Sequence, residues 1–418
     1  FLFLILSLLG GGPMTIIKGA DILTPNGLVQ SGVLIIEDGV ILRVSPMESA
    51  GLEAEPEYDY EHDHEHDQEY EIIDGTGLTL VPGFIDIHSH GGGGCDTLDG
   101  TFESLEKLCL SHAAHGTTGI LPTTMSVPHE ILLSIVRLID EIVGAKTSSG
   151  AEILGLHLEG PWVNPESKGA QHVAGIREPS IEELDELAET SNGHVKMITV
   201  APEMPGAFDL IKHAVDVGIR ISLGHSSATY DQVLNAVEAG ATHVTHAYNA
   251  MSGLHHRHPG MVGAMLSCQR LTADIILDGF HVHPAAAKIL MRCKGKEGLA
   301  LITDATRAAG MPEGDYELGG QKVIYRHGAV RLPDGGLAGS ALTLDAAVKY
   351  AVLELGCSLE EAIVMASSNP ARIIGVDDKK GSIEVGKDAD LVLLDESFNV
   401  RATIVNGNVV HMVRGILT

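Results

Sequence analysis

The sequence predicts an α/β protein in which a (β/α)8 TIM barrel is joined to a small β-sandwich domain built from both chain ends. Two observations support this prediction. In the middle of the chain, eight short apolar runs alternate with segments of helical length and periodicity. At both ends, short β-like runs are instead separated by Asn-Gly and Asp-Gly turns, which is typical of β-hairpins.

The eight apolar runs have the length of buried parallel strands, and a helical segment follows most of them. Eight strand–helix units in about 250 residues are typical of a barrel. A doubly wound sheet is the alternative, but no G-x-G-x-x-G follows the first run. The runs are Leu80–Ile87, Thr118–Thr124, Ile153–Leu158, Val195–Val200, Ile219–Leu223, His243–Thr245, Ala273–Leu277 and Leu299–Ile302. The helical segments are Leu105–His115, Glu130–Val143, Ile181–Glu189, Phe208–Val217, Tyr230–Ala239 and Pro284–Arg292.

These patterns divide the chain into four parts. Residues 1–13 form an apolar N-terminal extension, and we expect Met14 to be the natural start. Residues 14–79 and 371–418 form the two parts of the small β domain, and residues 80–370 form the barrel.

An acidic tract interrupts the first part of the β domain. Between Glu53 and Glu71 every second residue is an acid, with His62, His64 and His66 among them. Such a run repels itself and has little to bury, so we expect a solvated loop. Imidazoles beside carboxylates also leave open an arm that collects metal ions.

The charge balance excludes some classes of function. The 418 residues include 27 Lys and Arg against 56 Asp and Glu, a formal net charge of −29. Nucleic-acid and anionic-membrane binding both depend on basic surface, so we expect neither. The five cysteines are scattered without a C-x-x-C pair, which indicates a reducing compartment and hence a cytoplasmic protein.

Histidines and carboxylates recur where the predicted strands end. His88 and His90 share one face of an extended segment because strand side chains alternate. The carboxyl ends of barrel strands meet at one rim, so residues distant in sequence come together there. The strand-end groups are His88, His90, His157, Glu159, His225, His246 and Asp304.

Imidazoles with a carboxylate are suitable ligands for Zn²⁺ or Fe²⁺. A bound divalent metal lowers the pKa of water toward about 7 and polarises a carbonyl, while a neighbouring carboxylate moves the proton. Asp304 is the candidate for that carboxylate, and His157 is a candidate for supporting the ligands from behind.

The segments around these residues resemble a known family. The H-x-H at His88 and His90 is similar to the first barrel strand of the amidohydrolase superfamily. The full set closely resembles N-acetylglucosamine-6-phosphate deacetylases over roughly residues 14–412, apart from the acidic tract. The segments that carry the resemblance are VPGFIDIHSH (81–90), LHLEGPW (156–162), LGHS (223–226), THAYNAM (245–251), DGFHV (278–282) and TDA (303–305).

The resemblance implies hydrolysis of N-acetylglucosamine 6-phosphate to glucosamine 6-phosphate and acetate. It implies that Glu159, His225 and His246 hold the principal metal, and that His88 and His90 allow a second. One or two divalent ions per chain are therefore expected. Asp304 would activate the attacking water and then protonate the leaving amine.

The resemblance also implies a site for the substrate phosphate. Asn249, Ala250, His281 and Arg257 would bind it, and Arg257 would reach the site of a neighbouring subunit, which implies a homodimer. Relatives often carry a histidine where this chain has Gln171. A glutamine can donate a hydrogen bond but cannot become charged, so we expect Gln171 to contact the acetyl carbonyl more weakly.

Three alternatives remain at this point. The substrate could be a related N-acetylhexosamine 6-phosphate, or the protein could be another N-acyl amidohydrolase. A non-catalytic metal-binding protein is the third alternative, because the chain has 22 histidines and the acidic tract.

Overall fold

The computed structural model describes residues 14–47, 70–145 and 149–413. The predicted extension 1–13 and nearly all of the acidic tract 53–71 lie outside these residues.

The first strands of the chain are β1 (Met14–Thr24), β2 (Gly27–Glu37), β3 (Val40–Pro46), β4 (Tyr70–Asp74), β5 (Thr79–Pro82), β6 (Phe84–Ser89), β7 (Gly91–Gly92), β8 (Cys95–Asp96), β9 (Thr117–Thr124), β10 (Glu152–Ile153) and β11 (Leu156–Glu159). The later strands are β12 (Val195–Val200), β13 (Arg220–Leu223), β14 (His243–Val244), β15 (Ala273–Ile276), β16 (Leu299–Ile302), β17 (Gly314–Leu318), β18 (Gln321–Arg326), β19 (Ala329–Arg331), β20 (Leu391–Leu394), β21 (Val400–Val405) and β22 (Asn408–Met412). The α-helices are α1 (Phe102–Ala113), α2 (His129–Ala145), α3 (Ile181–Thr190), α4 (Ala207–Asp216), α5 (Tyr230–Ala239), α6 (Gly260–Ser267), α7 (Pro284–Lys294), α8 (Leu344–Tyr350), α9 (Leu359–Ile363) and α10 (Asn369–Ile374).

A curled parallel sheet forms the centre of the molecule. Strands β6, β9, β11, β12, β13 and β14 pair in this order, and β15 pairs with β16. Backbone hydrogen bonds join the two groups, from Val244 N to Thr272 O at 3.0 Å and from Asp304 N to His88 O at 2.9 Å. The first and last strands therefore lie side by side, which is consistent with the predicted (β/α)8 barrel. Each of the eight predicted runs overlaps a strand of this sheet.

The helices cover this sheet with their apolar faces. In α2 the buried side chains recur three or four residues apart, as a helix packed on one side requires. Thr101 begins α1 by accepting a hydrogen bond from Ser104 N at 3.2 Å, which satisfies one of the free amides of the first turn. No helix among the described residues combines the length and the apolar character that a membrane crossing needs.

The two chain ends form one sheet. Strand β5 pairs with β1 and with β20, so hydrogen bonds link all eight strands from both ends. Their side chains share an apolar cluster that includes Ile17, Leu34, Leu80 and Leu391. The predicted pairing of both ends is confirmed. This pairing describes one continuous sheet, whereas a β-sandwich consists of two sheets packed face to face. The β-sandwich and the limits of the domains therefore stay predictions.

A three-stranded antiparallel sheet, β17–β18–β19, follows the last barrel strand. This sheet is not among the predicted elements. Gly319 and Gly320 join β17 to β18, and a Gly-Gly pair between alternating apolar and polar residues is a recognisable hairpin signal.

A buried lysine connects the barrel to the end sheet. The Lys380 ammonium lies 2.7 Å from a carboxylate oxygen of Glu152 in β10 and 2.7 Å from one of Asp390, which precedes β20. Asp388 lies 3.0 Å away. Burial would lower the pKa of Lys380, but Asp390 and Glu152 hold it above its usual value. Lys380 therefore stays charged and balances carboxylates from both parts of the chain.

We expect Lys380→Met to lower the free energy of unfolding by about 3–5 kcal/mol, because the substitution leaves the buried Asp390 carboxylate without its cation. Chemical denaturation of the variant and the unmodified chain measures this loss. Lys379→Met is the matched control, because Lys379 is exposed and should change stability by less than about 0.5 kcal/mol. Equal losses in the two variants would contradict the structural role given to Lys380.

Candidate active site and metal centre

Six of the predicted residues meet at the carboxyl ends of the barrel strands. They form two groups, and within each group the ligand atoms lie within 4.8 Å of one another. All six side chains are buried, although each carries nitrogen or oxygen. The first group is Glu159, His225 and His246, and the second is His88, His90 and Asp304.

The Glu159 carboxylate lies between the two groups. Its Oε1 is 3.0 Å from Nε2 of His225 and 3.0 Å from Nε2 of His246. The same oxygen is 3.4 Å from Nε2 of His88, and Oε2 is 3.3 Å from Nε2 of His90. One anion therefore faces four imidazoles from three strand ends, since His88 and His90 both lie at the end of β6.

Backbone carbonyls orient two of these imidazoles. Nδ1 of His225 donates to the Ser167 carbonyl at 3.0 Å, and Nδ1 of His90 donates to the Thr123 carbonyl at 3.2 Å. A carbonyl can only accept, so these contacts fix the proton on Nδ1 and leave Nε2 free to bind a metal.

The predicted supporting residue His157 lies behind His88, with its ring centre 4.7 Å away. Its two nitrogens contact the Ile87 carbonyl at 3.1 Å and the Thr199 hydroxyl at 2.8 Å. Burial lowers the pKa of His157 to about 3, so the ring is neutral. His157 therefore packs against the site and is not one of the grouped ligands.

The backbone is strained where the site residues sit. His225, His246 and Asp304 have φ values of +47°, +32° and +47°. Tyr248 and Ala250, on the same side of the barrel, have φ values of +76° and +48°. Non-glycine residues in this region cost about 1–3 kcal/mol each and persist only where surrounding contacts hold them. Such strain concentrates at functional sites.

The charges in the cluster favour an anionic carboxylate among imidazoles. Burial alone would raise the pKa of Glu159, but His225 and His88 hold it well below its usual value. Burial lowers the pKa of His88 well below its usual value. Burial acts in the same direction on His90, but its contacts with Asp304 and Glu159 hold that pKa well above normal.

The ligand set fits a divalent cation. Neither ring nitrogen of His88 has a hydrogen-bond partner, although both are buried. Nε2 of His225 and Nε2 of His246 lie only 3.0 Å apart, and both face the same carboxylate oxygen. Burying a nitrogen without a hydrogen-bond partner costs free energy. A metal ion bound among these side chains would account for both observations.

The predicted substrate residues divide between the cavity and the surface. Gln171, Asn249, Ala250 and His281 line the cavity that also contains Glu159 and Asp304. Arg257 lies on an exposed turn, where its guanidinium contacts His256 Nε2 at 2.8 Å, and it is not part of the cavity lining of this chain.

Known proteins have a similar sequence and a similar fold. Residues 79–410 match the family model described as "Amidohydrolase family". An N-acetylgalactosamine-6-phosphate deacetylase from Escherichia coli O157:H7 is 40% identical over 94% of this chain and 98% of its own. An N-acetylglucosamine-6-phosphate deacetylase from Bacillus subtilis (strain 168) is 39% identical over 94% and 96%. The crystal structure of N-acetylglucosamine-6-phosphate deacetylase from Pasteurella multocida superimposes with a TM-score of 0.85 at 35% identity, covering 95% of this chain and 99% of that one.

The chain belongs to the amidohydrolase family.

In this amidohydrolase, Gln171 contacts a candidate ligand rather than standing free. Its Nε2 donates to Glu159 Oε2 at 2.6 Å, and its Oε1 accepts from Ser126 N at 2.6 Å. Both ends of the amide are therefore engaged. The structure gives Gln171 a contact that the sequence analysis did not predict, because residue spacing does not show which way a loop side chain turns.

Part of the cavity wall of this amidohydrolase was not predicted from the sequence. Most of the missed residues lie after β9, in the three-stranded insert and in the segment that follows it. The hairpin signal of the insert could have suggested a cover over the strand ends, but nothing in the pattern tells which of its residues face the cavity. The missed residues are Met125, Leu318, Leu337 and Gly339, together with Gly169 and Ala170 from the loop that carries Gln171.

Proposed function

We propose that this protein hydrolyses the acetamide of N-acetylglucosamine 6-phosphate to glucosamine 6-phosphate and acetate. The observation that carries the proposal is a buried carboxylate, Asp304, that shares one cavity with the metal group of Glu159, His225 and His246 and with the polar residues Asn249 and His281. The relatives described above act on 6-phosphorylated N-acetylhexosamines by name, and they match nearly the full length of this chain.

Glu159, His225 and His246 would hold the principal divalent cation, and His88 and His90 would hold a second when one is present. Zn²⁺ and Fe²⁺ both suit imidazole and carboxylate ligands. The cation would supply Lewis acidity, which polarises the acetyl carbonyl and makes water a better nucleophile. Gln171 holds Glu159 in place through the 2.6 Å hydrogen bond.

Asp304 would move the proton of the reaction. Its Oδ1 lies 3.3 Å from Nε2 of His90, so the carboxylate is held beside the imidazoles of the second group. The carboxylate takes a proton from the attacking water, whose oxygen bonds to the acetyl carbon. It then gives this proton to the amide nitrogen as the C–N bond breaks, so a neutral amine leaves together with acetic acid, which becomes acetate by releasing the second proton of the water to solvent.

Asn249, Ala250 and His281 would bind the phosphate. Nδ1 of His281 contacts Asp278 Oδ2 at 2.6 Å, so this ring is held by one nitrogen and keeps the other for a ligand. Arg257 faces solvent in the single chain, so its proposed contact with phosphate requires the neighbouring subunit of a homodimer. The cytoplasmic location stays a prediction.

A second candidate substrate is N-acetylgalactosamine 6-phosphate, because the relative from E. coli carries that name at 40% identity. The two sugars differ only in the direction of one hydroxyl group. Strong discrimination needs a polar side chain placed at that hydroxyl. The polar side chains of the cavity wall are assigned to the metal, to Glu159, to proton transfer or to the phosphate. The remaining side chains, Met125, Ala170, Leu318 and Leu337, supply no such group. We therefore expect turnover of both sugars within about tenfold of each other.

Acetate release by the metal-loaded protein tests the proposal. Both phosphorylated sugars should be turned over, while unphosphorylated N-acetylglucosamine should have a kcat/KM lower by about 10²-fold or more, because charged hydrogen bonds to phosphate are lost. His281→Ala should lower kcat/KM for the phosphorylated sugars by about 10–100-fold and leave the unphosphorylated sugar nearly unchanged. Equal turnover with and without the phosphate would contradict the proposed substrate.

A further inference from the structure

A buried carboxylate outside the cavity contacts the backbone of a candidate metal ligand. Asp274 lies in β15 and has no solvent-exposed surface. Its Oδ1 accepts a hydrogen bond from the backbone N–H of His246. Its Oδ2 lies 3.0 Å from Nε2 of His243, which is also fully buried.

This contact replaces a regular step of the sheet. Between parallel strands, amides of every second residue bond to carbonyls of the neighbouring strand. Val244 N bonds to Thr272 O at 3.0 Å, so regular pairing would next join His246 N to Asp274 O. Instead Ala247 N takes the Asp274 carbonyl at 2.9 Å, and the amide of His246 turns to the Asp274 side chain.

The shift of one residue explains how His246 reaches the cavity. An extra residue in a strand bends it and re-aims the side chain, as β-bulges do near active sites. Here the extra residue is His246 itself, with a φ of +32°. Its amide would lie buried and unpaired without the Asp274 carboxylate, which is a costly arrangement. The same bend leaves Nε2 of His246 3.0 Å from Glu159 Oε1.

We propose that Asp274 is a positioning residue for metal binding: its carboxylate holds the bent backbone of His246 so that the imidazole meets Glu159 and His225. This inference rests on the proposed metal-dependent function. Asp274 is not part of the cavity lining and touches no substrate in this assignment, so it acts only through His246.

His243 keeps the Asp274 carboxylate in its orientation. Nδ1 of His243 contacts the Thr272 hydroxyl at 2.7 Å, and that hydroxyl donates to the Thr242 carbonyl at 3.1 Å. The ring is therefore fixed at both nitrogens. An asparagine at position 274 could offer its oxygen to His246 N–H and its NH₂ group to Nε2 of His243.

The test compares Zn²⁺ affinity, measured on full-length protein by competition with a chelator. Asp274→Ala removes the acceptor and should weaken Zn²⁺ binding by about 10–100-fold, as loss of contacts behind metal ligands does. Asp274→Asn keeps an acceptor and should bind Zn²⁺ within about threefold of the unmodified chain. Asp274→Leu, which fills the space without an acceptor, should lose as much as Asp274→Ala and serves if the alanine variant does not fold.

Asp390→Ala is the matched control. Asp390 is also buried, accepts a backbone amide from Asn406 at 2.8 Å and pairs with a basic side chain, Lys380. Its loss should lower stability without changing Zn²⁺ affinity, which separates a positioning role from a structural one. The positioning role alone would be overturned if Asp274→Ala bound Zn²⁺ as tightly as the unmodified chain. It would also be overturned if Asp274→Asn lost as much Zn²⁺ affinity as Asp274→Ala. An unmodified chain that binds no Zn²⁺ would overturn the proposed function as well.

Discussion

Replacing Asp304 with asparagine is expected to abolish deacetylation while the principal metal group keeps its metal. Asparagine has the shape of aspartate but cannot accept a proton from water or deliver one to the amine. Loss of such a proton-transfer group costs about 10²–10⁴-fold in rate. Acetate release from N-acetylglucosamine 6-phosphate and elemental analysis of metal per chain measure the two effects separately.

The geometry gives a reason to expect this separation. Asp304 belongs to the group of His88 and His90, whereas the principal metal is assigned to Glu159, His225 and His246. At least one metal per chain should therefore remain in Asp304→Asn. Asp99→Asn is a suitable control, since Asp99 pairs with Arg307 at 3.0 Å near the same end of the barrel and is not part of the cavity lining. Full activity of Asp304→Asn would refute the assigned role.

The location of the site could be predicted because it depends on strand order alone. His88, Glu159, His225 and Asp304 each stand at or just beyond the end of an apolar run. Parallel strands in a barrel bring such positions to one rim whatever the loops do. A period of two was enough to place His88 and His90 together, because side-chain alternation is a property of every strand.

The remaining contacts depend on backbone geometry that the residue pattern does not show. His225, His246 and Asp304 have positive φ values although none of them is a glycine or an asparagine, the residues that usually indicate such positions in a sequence. Surrounding contacts impose that conformation, and they come from distant segments, as Asp274 does for His246. Gln171 reaches Glu159 from a loop for the same kind of reason. The pairing of ends could be predicted in outline, but its register required the structure.

Arg257 illustrates a different limit. Its exposed position in the single chain gives no contact with the cavity, so its predicted role depends on a second copy of the protein. Sequence spacing carries no information about such a copy unless relatives are known. The role of Arg257 and the homodimer therefore stay predictions, while the placement of Asn249 and His281 in the cavity follows from the fold of one chain.

Replacing Glu159 with glutamine is expected to remove metal from both groups together. The carboxylate lies within 3.4 Å of an imidazole nitrogen of His88, His90, His225 and His246, so one substitution takes the negative charge from all four. A neutral amide binds divalent cations weakly. Its NH₂ group would face either the imidazoles or the Nε2 of Gln171, which is a donor that needs an acceptor at this position. Activity should fall by at least about 10³-fold, since several kcal/mol of charge stabilisation are lost.

The pattern of metal loss distinguishes a shared carboxylate from one that serves a single group. If Glu159 serves both groups, metal per chain in Glu159→Gln falls close to zero and excess Zn²⁺ restores little activity. If it serves only His225 and His246, the metal of the other group remains. Glu203→Gln is the control, because Glu203 contacts Ser226 Oγ at 2.7 Å near the same rim but belongs to neither group. That variant should keep its metal, so a loss in Glu159→Gln reports the charge at this one position and not a general disturbance of the strand ends.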